Sequence, residues 1–194
     1  MRGRYRDGSS FSLAGFYNRY DDFIDTEVVG FSSGGLMQFQ YVNLSNVAIY
    51  GGEARGEWRF TPGWSLLGSA AYARGEDEDT GAPIDSVDPV RVIGGLRYAA
   101  LSDIWGGELT ATHAWRHNRV SDPTFFQAPS YTTLDFTAFY NVTPNLTISA
   151  GVFNLTDEKY FNSQDVIGVA ADDPRVDFYA QPGRSFGVNA TVRW

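Results

Sequence analysis

The chain has 194 residues, 43% hydrophobic and 15% aromatic, with 15 Lys+Arg against 23 Asp+Glu, a formal net charge of -8 and no cysteine. That is enough apolar material for one domain or part of a larger one, and the missing cysteines exclude disulfide scaffolds, Cys-ligated metal sites and thiol catalysis. The acidic balance speaks against nucleic acid as a partner, and His113 and His117 are too few for a histidine-rich metal centre. No stretch approaches the roughly 18 consecutive apolar residues of a membrane helix, which excludes a helical membrane protein. A membrane β-barrel remains open, because its strands alternate and keep hydropathy low.

In chain order, Met1–Arg6 reads as the tail of a strand ending at the turn Asp7-Gly8-Ser9-Ser10. Strands are then predicted at about residues 10–25, 45–60 and 64–76, and through Val90, Val92, Gly94, Leu96 and Tyr98. Further strands follow at about 104–120, through Phe136, Ala138, Tyr140 and Val142, and at 146–161 and 184–194. Asp135, Thr137 and Asn141 fall between the apolar residues of their segment, and this period of two marks a strand with one apolar and one polar face. The pattern therefore predicts an all-β, antiparallel protein of about eight strands plus a stub, with helix content close to nil.

The connections alternate in length. Thr61-Pro62-Gly63, Leu101-Ser102-Asp103 and Thr143-Pro144-Asn145 are tight turns, whereas Thr26–Leu44, Asp77–Pro89, Ser121–Pro129 and Asn162–Gly183 are predicted long linkers. Short turns at one end and long loops at the other describe an up-and-down transmembrane β-barrel, with periplasmic turns and extracellular loops. Aromatic spacing agrees. Trp105 and Trp115, ten residues apart, span roughly 25 Å of a tilted strand, the height of an apolar band between two aromatic girdles. Trp58, Phe60, Trp64, Tyr98, Trp105 and Tyr140 sit beside the short turns, where a lower girdle belongs, with Trp115 at the upper margin and Trp194 at the chain end. Glu53, Arg55, Glu57 and Arg59 share the opposite face of one strand, and that face requires water.

Two ordered sets of residues carry a resemblance. Gly151-Val152-Phe153-Asn154-Leu155-Thr156-Asp157-Glu158-Lys159-Tyr160, then Tyr179-Ala180-Gln181-Pro182-Gly183-Arg184-Ser185-Phe186-Gly187-Val188 and a terminal aromatic strand, resemble the C-terminal end of a TonB-dependent outer-membrane receptor. Upstream, Ala14–Ile24 and Asn43–Glu53 are similar to the preceding strands of the haemoglobin/haem-type receptors. The resemblance covers essentially the whole chain. It implies the C-terminal part of a roughly 22-stranded barrel in the bacterial outer membrane, an open sheet when isolated, with the plug domain and N-terminal barrel strands absent. It also implies uptake of an iron chelate, haem or similarly large nutrient, powered by TonB through the missing plug, with no catalytic residue and no cofactor. Partners would be outer-membrane lipid and lipopolysaccharide, the transported small molecule, and the barrel-assembly machinery. Phe186, Val188, Ala190, Val192 and Trp194 resemble the terminal signal that this machinery recognises. The alternative is a small self-standing outer-membrane barrel with a structural or adhesive role.

Chemical sites are sparse. His113 and His117 would lie roughly 13 Å apart on a strand, too far to share one ion. His117 is a candidate ligand contact, set against a role at the base of a loop. The acidic run Glu76-Asp77-Glu78-Asp79 with Asp85 and Asp88 lacks the glycine spacing of a calcium loop and reads as a solvated loop, with divalent-ion bridging to itself or to lipopolysaccharide as the alternative; no metal site is assigned. Phe125 and Phe126, adjacent in a long loop and expected to be exposed, are candidate contacts for a hydrophobic ligand, against packing within the loop. No serine sits in a nucleophile-elbow context, which argues against a hydrolase.

Overall fold

Extended backbone carries N–H and C=O groups that a neighbouring strand must satisfy. In the computed structural model, which describes residues 1–33 and 37–194, they pair in one nine-stranded antiparallel sheet whose spatial order is the sequence order. The strands are β1 (Arg2–Arg4), β2 (Ser10–Phe31), β3 (Met37–Thr61), β4 (Trp64–Asp77), β5 (Arg91–Ala99), β6 (Trp105–Ala114), β7 (Tyr131–Thr143), β8 (Leu146–Phe153) and β9 (Ser185–Val192). This is the expected stub and eight strands. Among the described residues β1 pairs only with β2, and β9 only with β8, so the sheet is open. Two 3-10 turns, Ser163–Val166 and Val176–Tyr179, are the helical elements among the described residues.

Three boundaries differ from expectation. The stretch predicted as a linker over Thr26–Leu44 is largely strand, because β2 and β3 continue as a two-stranded ribbon past the end of β4. Alternation in Met37-Gln38-Phe39-Gln40-Tyr41 is its sequence signal, and the ladder slips once between Val28 and Gly30. β6 ends at Ala114 rather than near residue 120: the Trp115 amide still bonds the Val90 carbonyl, but the His117 amide bonds the Ala128 carbonyl of the following loop instead of a strand. β8 ends at Phe153 rather than near 161, for a reason visible at Asn154. That residue has φ of 51° and closes a turn on itself, its side chain donating to the Glu158 carbonyl and accepting from the Glu158 amide at 2.8 and 2.9 Å. Asp157 then accepts from the Arg184 amide at 2.7 Å, which docks the start of β9 beside the end of β8.

Register sorts the side chains by face, because paired residues in an antiparallel ladder point the same way. One continuous row reads Trp58, Leu66, Leu96, Leu109, Phe136, Val152, Phe186, entirely apolar across seven strands. Its neighbour on the other face reads Ser65, Arg97, Glu108, Thr137, Gly151, Gly187. The apolar face has no protein cover: Trp58 is 59% exposed and Phe186 75%. A surface of this extent belongs against lipid. On the polar face, Phe139 lies flat over Gly106 and Phe16 over Gly51, where a Cβ would meet the ring at 2.5 and 2.8 Å.

Candidate functional site: loop cap and wall margins

The turns Tyr5–Ser9, Pro62–Gly63, Ala100–Ile104 and Pro144–Asn145 all fall at one edge of the sheet, and the long connections at the other. Beside the short turns, aromatic rings run sideways across the strands. Trp64 and Tyr98 have centroids 4.9 Å apart, Tyr98 and Trp105 are 5.0 Å apart, and Trp105 pairs in register with Tyr140. Trp58 and Phe60 continue the line at 5.6 Å. At the far end of β6, Trp115 is exposed and meets His113 edge-on at 4.5 Å, while the His113 ring shares a 2.8 Å hydrogen bond with Thr132. Trp194 lies beyond β9 and is fully exposed.

The long loops carry a core of their own. Ala128, Phe161, Val166 and Val169 are buried together, with Phe126, Val176 and Ala180 packed against them. Phe125 and Phe126 were expected to be exposed, and both are half-buried. Phe126 stacks edge-on with Phe161 at 5.2 Å and its amide donates to the Val169 carbonyl at 2.7 Å, while Phe125 bridges Ala170. The physical reason is that the Asn162–Gly183 connection folds back over Ser121–Pro129 and buries the aromatic pair.

The acidic residues act singly, each with its own partner. Asp77 accepts the amides of Asp79 and Thr80, Glu78 pairs with Arg19 at 2.9 Å, and Glu76 with Arg74 and Arg119. Asp85 accepts both the amide and the hydroxyl of Ser121 at 2.6 Å. Asp88 accepts from the Ser163 hydroxyl at 2.6 Å and from the Gln164 side-chain Nε2 at 3.0 Å. These two carboxylates tie three loops into one cap. No three His, Asp or Glu among the described residues gather to hold a metal.

His117 sits inside this cap, 5% exposed, its amide bonded to the Ala128 carbonyl at 2.9 Å and its Nε2 buried with no partner among the described residues. Burial pushes its pKa below the ordinary imidazole value, against the opposing pull of Asp85, Asp88 and the Val87 backbone. The residue is nearly buried, yet it is among those lining a cleft between the β4–β5 loop and the chain after β6. On the polar face of the sheet, Arg97 donates to Glu108 at 2.7 Å and reaches Glu57 at 4.0 Å, while Arg59 pairs with Glu57 at 3.0 Å. The charges on this face are legible in the alternation of the sequence, whereas the Asp85 and Asp88 latches are not. Their partners lie in other loops, and no local pattern announces them.

An unclosed meander with an apolar outer face, a charged inner face and loops at one end is a section of an outer-membrane barrel wall. The family of TonB-dependent receptor-like β-barrels matches residues 2–155, and the chain belongs to it. Members of this family are β-barrels of the outer membrane. Among curated proteins, the chain is 26% identical to hemoglobin-haptoglobin-binding protein A of Haemophilus influenzae, over 88% of its own length and 20% of that protein. It is 24% identical to hemoglobin-haptoglobin utilization protein B of Neisseria meningitidis serogroup C, over 95% of the chain and 28% of that protein. Among solved structures, the copper transporter OprC superposes with a TM-score of 0.80 at 22% identity, covering 95% of this chain and 28% of the other. A ferric enterobactin receptor of Pseudomonas aeruginosa superposes at 0.71 and 24%, covering 97% and 29%. These structures share the fold. The chain spans about a fifth of the length of the first curated relatives it matches.

Proposed function

We propose that the chain is the C-terminal part of the barrel of a TonB-dependent receptor that takes up haem, an iron chelate or a similarly large nutrient, driven through a plug domain that contacts TonB. The observation that carries this reading is the open wall: nine strands in sequence order, similar along nearly their whole length to haemoglobin-binding receptors several times longer. Specificity in such a protein would be shared between these loops and parts of the receptor outside residues 1–194. Trp58, Phe60, Trp64, Tyr98, Trp105, Trp115, Tyr140 and Trp194 serve as membrane girdle residues, and Phe186, Val188, Ala190, Val192 and Trp194 as the assembly signal. Ligand contact by Phe125 or Phe126, both half-buried, or by His117, nearly buried beside a cleft, would use the surface that the cap leaves open.

The test is growth. A strain deleted for the gene that carries this chain should lose growth on haem, haemoglobin or a ferric chelate as sole iron source, and removing TonB should reproduce the loss. Unchanged growth on all three would reject the uptake reading.

A further inference from the structure

A strand at the margin of a sheet presents bare N–H and C=O groups, and natural sheets blunt such margins with charge, proline or a bulge. β4 leaves its ladder at Asp77, opposite Val47, where the Asp77 carboxylate turns the chain by accepting the amides of Asp79 and Thr80. Residues 37–46 of β3 lie beyond that point, paired with β2 on one side and with no strand among the described residues on the other. The last bond across, from the Glu78 amide to the Asn46 carbonyl at 2.8 Å, fixes which residues face the empty side. Hydrogen-bonding direction alternates along a strand, so Leu44, Val42 and Gln40 turn their backbone N–H and C=O that way.

This margin carries none of the usual protections. Residues 38–45 contain no charged residue, no proline and no glycine. The register also gives the ribbon two unlike faces. Ile24, Phe39 and Tyr41 share one, and all three are exposed, Tyr41 at 79%. Asp21 and Asp25 share the other with Gln40, Val42 and Leu44. Over residues 20–46 the sequence has four Asp or Glu and neither Lys nor Arg. An extended polypeptide is the ligand whose donors and acceptors match the spacing of such a margin. One of its faces would meet the aromatic side and the other the carboxylates, so a fitting strand alternates apolar residues with Lys or Arg.

We propose that the free margin of β3 from Gln40 to Leu44 docks an extended, basic segment of a partner protein as an added strand, its apolar side chains beside Phe39 and Tyr41 and its cations toward Asp21 and Asp25. About six main-chain hydrogen bonds anchor it, one donor and one acceptor from each of three residues. The acidic ribbon steers the basic face inward. Edge-to-edge pairing of two copies would set one acidic ribbon against another, so charge disfavours a second copy as the occupant. The site is independent of which nutrient is taken up.

The test uses the complete receptor carrying this chain, purified in detergent, and a fluorescein-labelled peptide of repeated Val-Lys about eight residues long, which matches the margin at about 3.4 Å per residue. Fluorescence anisotropy should report binding. Binding should weaken about tenfold or more for the same peptide N-methylated throughout, which keeps every charge but donates no backbone hydrogen bond, and for a Val-Glu repeat. V42P removes one outward N–H at a place where an edge strand tolerates proline, and should weaken binding of the Val-Lys repeat about tenfold. V42T keeps the amide and the branched side chain, and should match the parent. Heat-modifiability of each variant shows that the barrel has folded. Full binding of the N-methylated peptide, or full binding by folded V42P, overturns strand addition. Equal binding of the Val-Glu and Val-Lys repeats overturns the basic partner, and a parent receptor that binds neither overturns the site. Dimerisation of the receptor that V42P abolishes would make a second copy the occupant and overturn the partner protein. No arm reads transport, so failure here is distinguishable from failure of the uptake reading.

Discussion

The Ser163 hydroxyl donates to the Asp88 carboxylate at 2.6 Å across 75 positions of sequence, tying the last long loop to the β4–β5 loop. Gln164 adds a second bond to the same oxygen and one to the Ser86 carbonyl. A hydrogen bond to a charged group contributes about 1.5–3 kcal/mol, and removing the acceptor leaves its donors to find water. D88A should therefore loosen the cap without unfolding the sheet. Hydrogen exchange should quicken across residues 160–181 and 117–128, with strand amides unchanged. Equal protection in D88A and the parent would mean that the loop core alone holds the cap.

A pH dependence follows from His117. Its pKa is lowered by burial, so the unfolded or opened loop binds the proton more readily than the closed cap. By linkage, cap stability then rises with pH: it is fully present above the ordinary imidazole value of about 6.5 and declines as the pH falls below it. Asp85 and Asp88 face the ring and moderate the effect. Loop protection should drop on acidification from pH 7.5 toward 5.5, and H117F should flatten that dependence. An unchanged profile in H117F would assign the acid sensitivity to the carboxylates.

Most of the sheet was legible because the period of two is a local signal and each short turn has its own chemistry, as at Pro62-Gly63 and Pro144-Asn145. The ribbon of β2 and β3 was hidden behind Gly, Ser and acidic residues that usually mark a loop, although Phe39 and Tyr41 kept the alternation. The cap was not legible at all. Phe126 meets Phe161 and Ser163 meets Asp88 only once separate loops fold over one another. The sequence marks Phe125 and Phe126 as adjacent aromatics in a long loop, but it does not show that Phe126 packs on Phe161 and that Phe125 bridges Ala170.

Gly106 offers a test of the polar face. A Cβ there would meet the Phe139 ring at 2.5 Å and the Tyr98 carbonyl oxygen at 2.7 Å, and the position is buried. G106V forces Phe139 off its seat and crowds backbone that cannot move without breaking the ladder. Overpacking of this kind costs about 1–3 kcal/mol. The denaturant midpoint of the complete receptor in detergent should fall accordingly, while G68V, whose Cβ meets nothing within 4 Å, should be close to neutral. Equal midpoints for the two variants would show that the Phe139 contact carries no constraint.

Topology and assembly can be probed in the complete receptor. Tags at Gly81 or Asp172, in long loops, should be accessible on intact cells, whereas tags at Pro62 or Pro144 should be hidden. Replacing Trp194 by Asp should lower the amount of folded, heat-modifiable barrel several-fold, because a charge at the membrane interface replaces an anchoring ring next to the last strand. Surface labelling at the short turns would invert the orientation, and parental barrel levels in W194D would remove Trp194 from the assembly signal.

The last expectation concerns residues 1–194 alone. Among the described residues, β9 pairs with β8 on one side and no strand is paired on its other side, and β1 covers only the Ser10–Ser12 end of β2. Its apolar row from Trp58 to Phe186 has no protein cover. Two open edges and a bare apolar face favour association between chains, so the isolated chain should aggregate in detergent-free buffer. Closure into an eight-stranded barrel would force Glu53, Arg55, Glu57, Arg91, Arg97 and Asp135 into a lumen just wide enough for side chains to fill, without the water their charges require. Refolding in detergent should thus give an open sheet, with no cross-links between cysteines placed in Phe11–Tyr20 and in Phe186–Trp194. In-register cross-links between those segments in a compact, heat-modifiable monomer would establish a self-standing small barrel in place of part of a larger one.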